Sequence, residues 1–167
     1  MAVEDKYTDA NVAAGKKASN FTGQGQKTIT LIGTEEIAAA DDNGSVYRFF
    51  KSVPSTYIPV EINVMSDAIT GCTDVELGLY KEGVGGAAVD IDVLMGSDDI
   101  SGGISRIGGY NLGMAAVDVA DTGKTLGVLS AQTNIDGAYD IALTANTVGS
   151  GVGTITVVAT SVTLIQS

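Results

Sequence analysis

The sequence contains no histidine, no tryptophan and only one cysteine among its 167 residues. Without histidine there is no imidazole base, so Ser-His-Asp and Cys-His nucleophile pairs and histidine-dependent zinc sites are excluded. The single Cys72 cannot form an internal disulfide, and we expect it to be a small buried hydrophobe. The 5% aromatic content does not favour aromatic platforms for sugars or unstacked bases. We therefore predict a protein that is not an enzyme and needs no cofactor.

Basic residues are also scarce: nine lysines and arginines stand against twenty acidic residues, which gives a net charge of −11. Phosphate binding requires a basic footprint, so a nucleic-acid partner is not expected. Residues 1–27 carry four lysines and three acidic residues, whereas the remainder carries five basic and seventeen acidic residues. A mildly basic terminus before an acidic body is typical of a subunit that docks through its terminus, although solubility alone also explains an acidic surface.

Long apolar runs are missing as well. No segment approaches the ~18 uninterrupted apolar residues of a membrane span, so no membrane partner is expected. Residues 1–17 include Glu4, Asp5 and Asp9 and have no apolar core, so we predict no secretory signal and expect synthesis in a cytoplasm.

The first 26 residues are small, polar and glycine-bearing, and Phe21 is their only large apolar side chain from residue 10 onward. Such a segment cannot bury enough surface to fold alone. We predict an N-terminal arm at residues 1–26, ordered only against a partner or the body, and a folded domain at residues 27–167. An ordinary frayed terminus is the alternative.

Beyond the arm, apolar residues alternate with polar ones at a period of two, and turn residues separate the runs. In residues 58–65, Ile58, Val60, Ile62 and Val64 are predicted to face the core, and Pro59 indicates a sheet edge or a bulge. The other predicted strands are residues 28–32, 46–53, 75–80, 88–95, 138–143 and 154–165.

Within residues 88–95, the alternation places Val89, Ile91 and Val93 inside, with Asp90 and Asp92 outside. Only residues 124–129 suggest a helix. Many short strands, 22 glycines and no alternation of strands with helices predict an all-β fold, an antiparallel β-sandwich with jelly-roll-like architecture.

Two sequence features resemble parts of binding sites. Gly123, Lys124 and Thr125 resemble the end of a phosphate-binding loop, but Asp118 stands where that motif needs glycine. Aspartates cluster at residues 41–42, 90–92 and 98–99 without the spacing of a calcium loop. A solvated surface explains these clusters, so we predict no metal site, while calcium binding stays open.

Residues 45–80, with the run SVYRFFKSVPSTYIPVEINVMSDAITGCTDVELGLY, and the later stretches GGAAVDIDVLM, LGMAAVDVADTGKTLGVL and DGAYDIALTANTVGSGVGTITVVAT resemble virion structural proteins of tailed bacteriophages. The likeness spans about residues 45–160, and within that group it is greatest to capsid decoration, or cement, proteins. It implies a non-enzymatic outer-shell sandwich, often trimeric, that binds the major capsid protein on the head surface of a virion assembled in the host cytoplasm.

On this reading the arm contacts the capsid. Lys6, Lys16, Lys17 and Lys27 are then candidates to meet acidic capsid surface, with Phe21 as an apolar anchor. A head fibre, a tail or baseplate component, and a carbohydrate-binding module that uses the glycine-rich loops at residues 83–86 and 149–153 are the alternatives.

Overall fold

The structure, a computed structural model, describes residues 5–7, 26–107 and 123–164. Within these ranges the chain forms nine strands and one short helix. The elements are β1 Asp5–Tyr7, β2 Gln26–Ile37, β3 Ser45–Pro54, β4 Ile58–Ser66, β5 Asp74–Tyr80, β6 Ala88–Asp98, β7 Ile104–Ile107, α1 Leu126–Leu129, β8 Ala138–Thr147 and β9 Gly153–Leu164.

The strands form two sheets, one with the order β1-β3-β8-β5-β6 and the other with the order β2-β9-β4-β7. All pairs are antiparallel except that of β1 with β3, in which Asp5 lies opposite Val46 and Tyr7 opposite Arg48. The predicted all-β sandwich is confirmed.

One apolar core lies between the sheets and receives side chains from both of them. Tyr47, Phe49 and Phe50 enter it from β3, and Ile62 and Val64 enter it from β4. Cys72 is fully buried, as expected, and burial raises the pKa of its thiol to about 11. A thiol that stays protonated and inaccessible has little nucleophilic character.

Strand β4 departs from the predicted alternation near its start. A register shift against β9 lies between Pro59 and Glu61, so Pro59 is buried and Val60 is 41% exposed. Placing Val60 in the core was therefore wrong, because a bulge turns one residue out of phase and moves its side chain to the other face. Of the two interpretations of Pro59, a sheet edge or a bulge, the bulge is confirmed.

Strand β6 also departs from strict alternation, because three register shifts interrupt its pairing with β5. Val89 and Val93 pack partly buried against the core as predicted, but its fully buried side chains are Leu94 and Met95. Asp90, expected outside, is half-buried.

The predicted helix is confirmed as α1, one turn in length. Thr125 caps it, because its Oγ1 accepts a hydrogen bond from Val128 N at 3.3 Å. Strands β1 and β7 have no counterpart among the predicted elements, since three and four residues are too short for a clear alternation.

The connections gather at two ends of the sandwich. One end, called here the α1 end, contains the β3–β4 turn at residues 55–57 and the β5–β6 loop at residues 81–87. It also contains residues 123–137, which include α1 and lead into β8. The opposite end, called the acidic end, contains residues 38–44, 67–73, 99–103 and 148–152. Strand β2 begins at the α1 end, because Thr28 and Ile58 both lie beside Val162 of β9.

Two valines of β4 test the bulge. Val64→Asp should lower the free energy of unfolding by about 3 kcal/mol or more, because Val64 is 1% exposed and its replacement buries an unpaired charge. Val60→Asp should lower it by about 0.5 kcal/mol or less. Urea unfolding of both variants measures the difference, and equal losses would show that the bulge is misplaced.

Candidate binding loops at the α1 end

A buried ion pair lies beneath the α1 end. Arg48 on β3 is fully buried, and its Nη1 lies 3.1 Å from Oδ2 of Asp140 on β8, which is also buried. A buried guanidinium is tolerated only when its charge is paired and its other donors are satisfied. The remaining contacts of Arg48 therefore show which part of the chain the ion pair holds in place.

Those contacts lie on the β5–β6 loop. Arg48 Nη1 donates to the carbonyl oxygen of Lys81 at 3.1 Å, and Nη2 donates to that of Gly86 at 2.8 Å. The guanidinium carbon lies 5.1 Å from the ring centroid of Tyr80, whose hydroxyl bonds to that of Thr144. One side chain thus holds both ends of the loop at residues 81–86.

Asp140 fixes the same region from the other side. Its Oδ2 also accepts from Gly83 N at 3.1 Å, and its Oδ1 accepts from Ser52 N at 2.9 Å. Ser52 has a φ of 49°, a left-handed conformation that is costly for a residue with a side chain. Its hydroxyl donates to Glu82 in the loop. The ion pair therefore couples the irregular end of β3 to the β5–β6 loop.

The loop itself is tightly closed. Gly83 and Gly85 have φ values of 96° and 75°, and a Cβ added to Gly86 would lie 2.0 Å from the Lys81 carbonyl oxygen. Val84 lies between these glycines and is 66% exposed. The fold therefore presents an apolar side chain at the tip of a loop whose backbone is fixed from below.

The segment around α1 lies beside this loop. Leu126 N donates to Tyr57 O and Gly127 N donates to Ser55 O, both at 2.8 Å, so α1 is fastened to the β3–β4 turn. Lys81 Nζ lies 3.8 Å from Asp136 Oδ2 in an exposed ion pair between the two loops.

A buried tyrosine orders residues 130–137. The Tyr139 hydroxyl donates to Ser130 Oγ and accepts from Asp136 N, each at 3.1 Å. Ser130 Oγ in turn donates to Gly127 O at 2.8 Å. Tyr139 thereby ties the residues after α1 back to the helix.

At the acidic end, three aspartates accept hydrogen bonds from backbone or side-chain groups. Asp67 Oδ2 accepts from Thr154 N at 3.0 Å, Asp74 Oδ1 accepts from Ser97 Oγ at 2.7 Å, and Asp99 Oδ1 accepts from Ser101 N at 2.8 Å. Hydrogen bonds from Ser101, the side-chain bond most strongly, lower the pKa of Asp99. Asp99 thus closes its own turn, whereas Asp67 and Asp74 bond to β9 and β6, and these hydrogen bonds account for the three side chains without a ligand.

Asp41 makes a buried contact at the same end. Its Oδ2 accepts from the Tyr47 hydroxyl at 2.7 Å and from Ala38 N at 2.9 Å. Burial, and then the bond to Asp41, raise the pKa of Tyr47 above its usual range.

The second glycine-rich loop also lies at the acidic end. Cβ atoms added to Gly149 and Gly151 would lie 2.5 Å from Thr70 O and 2.3 Å from Thr70 N, so these glycines allow two loops to pack together. Residues 83–86 lie at the α1 end. The two loops predicted to serve a carbohydrate module are therefore at opposite ends and do not form one site.

The Asp90–Asp92 pair lies on β6. Desolvation, followed by the hydrogen bond with Asp92, raises the pKa of Asp90 to about 6. Within the described ranges, no three cysteine, aspartate or glutamate side chains are grouped to hold a metal ion. Across the same residues, no helix has the length and hydropathy needed to cross a bilayer.

The predicted arm residues are placed only in part. The backbone of Lys6 lies in β1 opposite Tyr47, and Lys27 lies half-buried on β2 opposite Thr163. Lys16, Lys17 and Phe21 lie outside the described residues.

Sequence reasoning missed Arg48 and Asp140. The available signal was a single charge within each of two strongly apolar strands, VYRFF and AYDIAL, because a charge in such a strand needs a partner.

Removing one partner of the buried ion pair should cost more unfolding free energy than removing one partner of the exposed ion pair. Asp140→Ala should lower the free energy of unfolding by about 3–5 kcal/mol, because it leaves the Arg48 charge uncompensated in the interior. Lys81→Met, which removes the exposed pair with Asp136, should change it by less than about 1 kcal/mol. Urea unfolding compares the two, and similar losses would contradict the assigned role of Asp140.

Asp90 predicts a pH dependence. Because its folded-state pKa is raised from 3.8 to about 6, folding favours the protonated carboxyl. This stabilisation is complete below about pH 4 and is lost as the pH rises through 6. The Tm of Asp90→Asn minus that of the native protein should therefore increase as the pH rises from 4 to 7. A Tm difference that is constant over this range would contradict the assignment.

Whole-chain comparisons give likenesses of fold. Neither a family model nor a curated protein matches the sequence. A chain of a structure described as the capsid of Ralstonia phage GP4 matches 94% of this chain and 96% of its own length, with a TM-score of 0.61 and 11% identity. A chain of the cyanophage Pam1 capsid asymmetric unit matches 92% of this chain and 97% of its own length, with a TM-score of 0.51 and 16% identity. The chain thus shares its overall fold with chains from two phage capsid structures.

Proposed function

We propose that the protein is a non-enzymatic structural protein of a phage virion, a decoration or cement protein that binds the outside of the head. In this role it stabilises contacts between major capsid subunits, as a homo-oligomer for which a trimer is favoured. It joins the capsid surface of particles assembled in the host cytoplasm.

The observation that carries this proposal is the whole-length correspondence of fold. The match to the chain from the Ralstonia phage GP4 capsid structure covers more than nine-tenths of both chains, so the two have similar size and extent. At 11% identity the match concerns the fold. The role is inferred from the match together with the resemblance of residues 45–160 to virion structural proteins.

We also infer that the sandwich is a jelly roll. The order β2-β9-β4-β7 in one sheet, opposed to β3-β8-β5-β6 in the other, supports this, because two Greek keys wound into eight strands give that order. Strand β1 then adds to the edge of the second sheet beside β3.

Cementing requires that each copy contact more than one capsid subunit, since linked contacts release more slowly than any single one. The predicted arm at residues 1–26 supplies such a second contact, with Lys6, Lys16, Lys17, Phe21 and Lys27 as its candidate contact residues. The arm joins β2 at the α1 end, whereas its strand β1 pairs with the half of β3 nearer the acidic end.

Heads assembled without the protein test the proposal. Purified protein should bind these heads to a saturating stoichiometry and raise the temperature at which they rupture, as followed by light scattering. Bovine serum albumin at equal concentration is the control. Recovery of the protein only in tail or baseplate fractions, with no binding to heads, would contradict the proposal and favour the alternative virion positions.

Deletion of residues 1–25 tests the arm. The Tm of the isolated protein should change little, because only the three residues of β1 leave a sheet. Head binding should weaken sharply, because the extended contacts are lost. Loss of the isolated fold would show that the arm is an integral part of the domain, and undiminished head binding would place the contact on the sandwich alone.

A further inference from the structure

Exposed apolar side chains are concentrated at the α1 end. Among the described residues, six large hydrophobic side chains are strongly exposed. Four of them, Val60, Val84, Val128 and Ile135, lie on segments at or next to this end, whereas Val152 lies at the acidic end. Exposed apolar groups gathered in one region are typical of a protein–protein contact.

Three of the four come from segments that contact one another. A Cβ added to Gly127, next to Val128, would lie 2.7 Å from Cγ2 of Ile135. The Lys81–Asp136 ion pair joins the segment of Ile135 to the loop that carries Val84. The apolar groups therefore belong to one region of the surface.

The two ends of the sandwich also differ in charge. The loops of the acidic end and the strand residues next to them carry Asp42, Asp67, Asp74, Asp98 and Asp99 and no lysine or arginine. The α1 end carries Lys81 and Lys124 with Glu82 and Asp136. In a chain of net charge −11, the apolar end is therefore also the end without an excess of acid.

The α1 end is ordered before any partner arrives. Arg48 and Asp140 hold the Val84 loop through three backbone groups, and Tyr139 holds the segment that carries Ile135. Because these loops lose little freedom on binding, their apolar contacts count more fully toward affinity.

We propose that the α1 end faces the head, with Val84, Val128 and Ile135 making apolar contact with the outer surface of the capsid shell. This inference rests on the proposed function. The predicted arm joins β2 at this end, where Gln26 pairs with Leu164, so the residues at this junction are on the same side of the sandwich as the three side chains. The acidic end then points to solvent, where like charge keeps decorated particles apart.

Single substitutions at exposed valines test the inference. Val84→Asp and Val128→Asp place a charge in the contact, and Val152→Asp is the matched control, since Val128 is 52% and Val152 is 53% exposed. Binding to heads assembled without the protein is measured by cosedimentation, folding by urea unfolding, and oligomeric mass by light scattering after gel filtration.

Val84→Asp and Val128→Asp should each weaken head binding by about tenfold or more, because a charge would be desolvated at the centre of the contact, whereas Val152→Asp should bind as the native protein does. Equal binding by all variants would overturn this inference and leave the proposed function intact. Failure of the native protein itself to bind would instead remove the proposed function. A fall in oligomeric mass with either variant would assign the end to a second copy of the chain and overturn the inference.

Discussion

The α1 end depends on one buried ion pair. Arg48 and Asp140 come from neighbouring strands, and between them they bond to Lys81, Gly83, Gly86 and Ser52. Each charge would be costly to bury without partners. The loop supplies hydrogen-bonding groups to both charges, so the interactions that keep the pair buried also hold the loop in place. The apolar core holds the two sheets together, and the Arg48–Asp140 pair holds the β5–β6 loop at one end of them.

That constraint gives the molecule two unlike ends. At one end a buried cation orders a glycine-rich loop with an exposed valine at its tip. At the other end aspartates bond to their own turn or to a neighbouring strand, and the loops carry a net negative charge. A protein that coats a larger particle needs such a polarity, with one side adapted to protein contact and the other to solvent. The distribution of side chains thus supports the proposed role on the capsid surface.

The sequence predicted the sandwich because most strands are long enough to show an alternation, and residues 124–129 indicated the short helix found at α1. It failed at Val60, because Pro59 indicated an edge or a bulge but the local alternation does not show which residue the pairing with β9 turns out of phase. The partnership of Arg48 with Asp140 joins residues 92 positions apart, so no local pattern could show it. The unlike ends became visible only when the topology brought distant loops together.

The most direct test is cryo-electron microscopy of the assembled particle, which gives position, stoichiometry and orientation together. We expect density for the sandwich on the outside of the head, with the loops that carry Val84 and Val128 against the shell and the loops at residues 67–73 and 99–103 toward solvent. Density on the tail alone, or a sandwich with its acidic end against the shell, would contradict it.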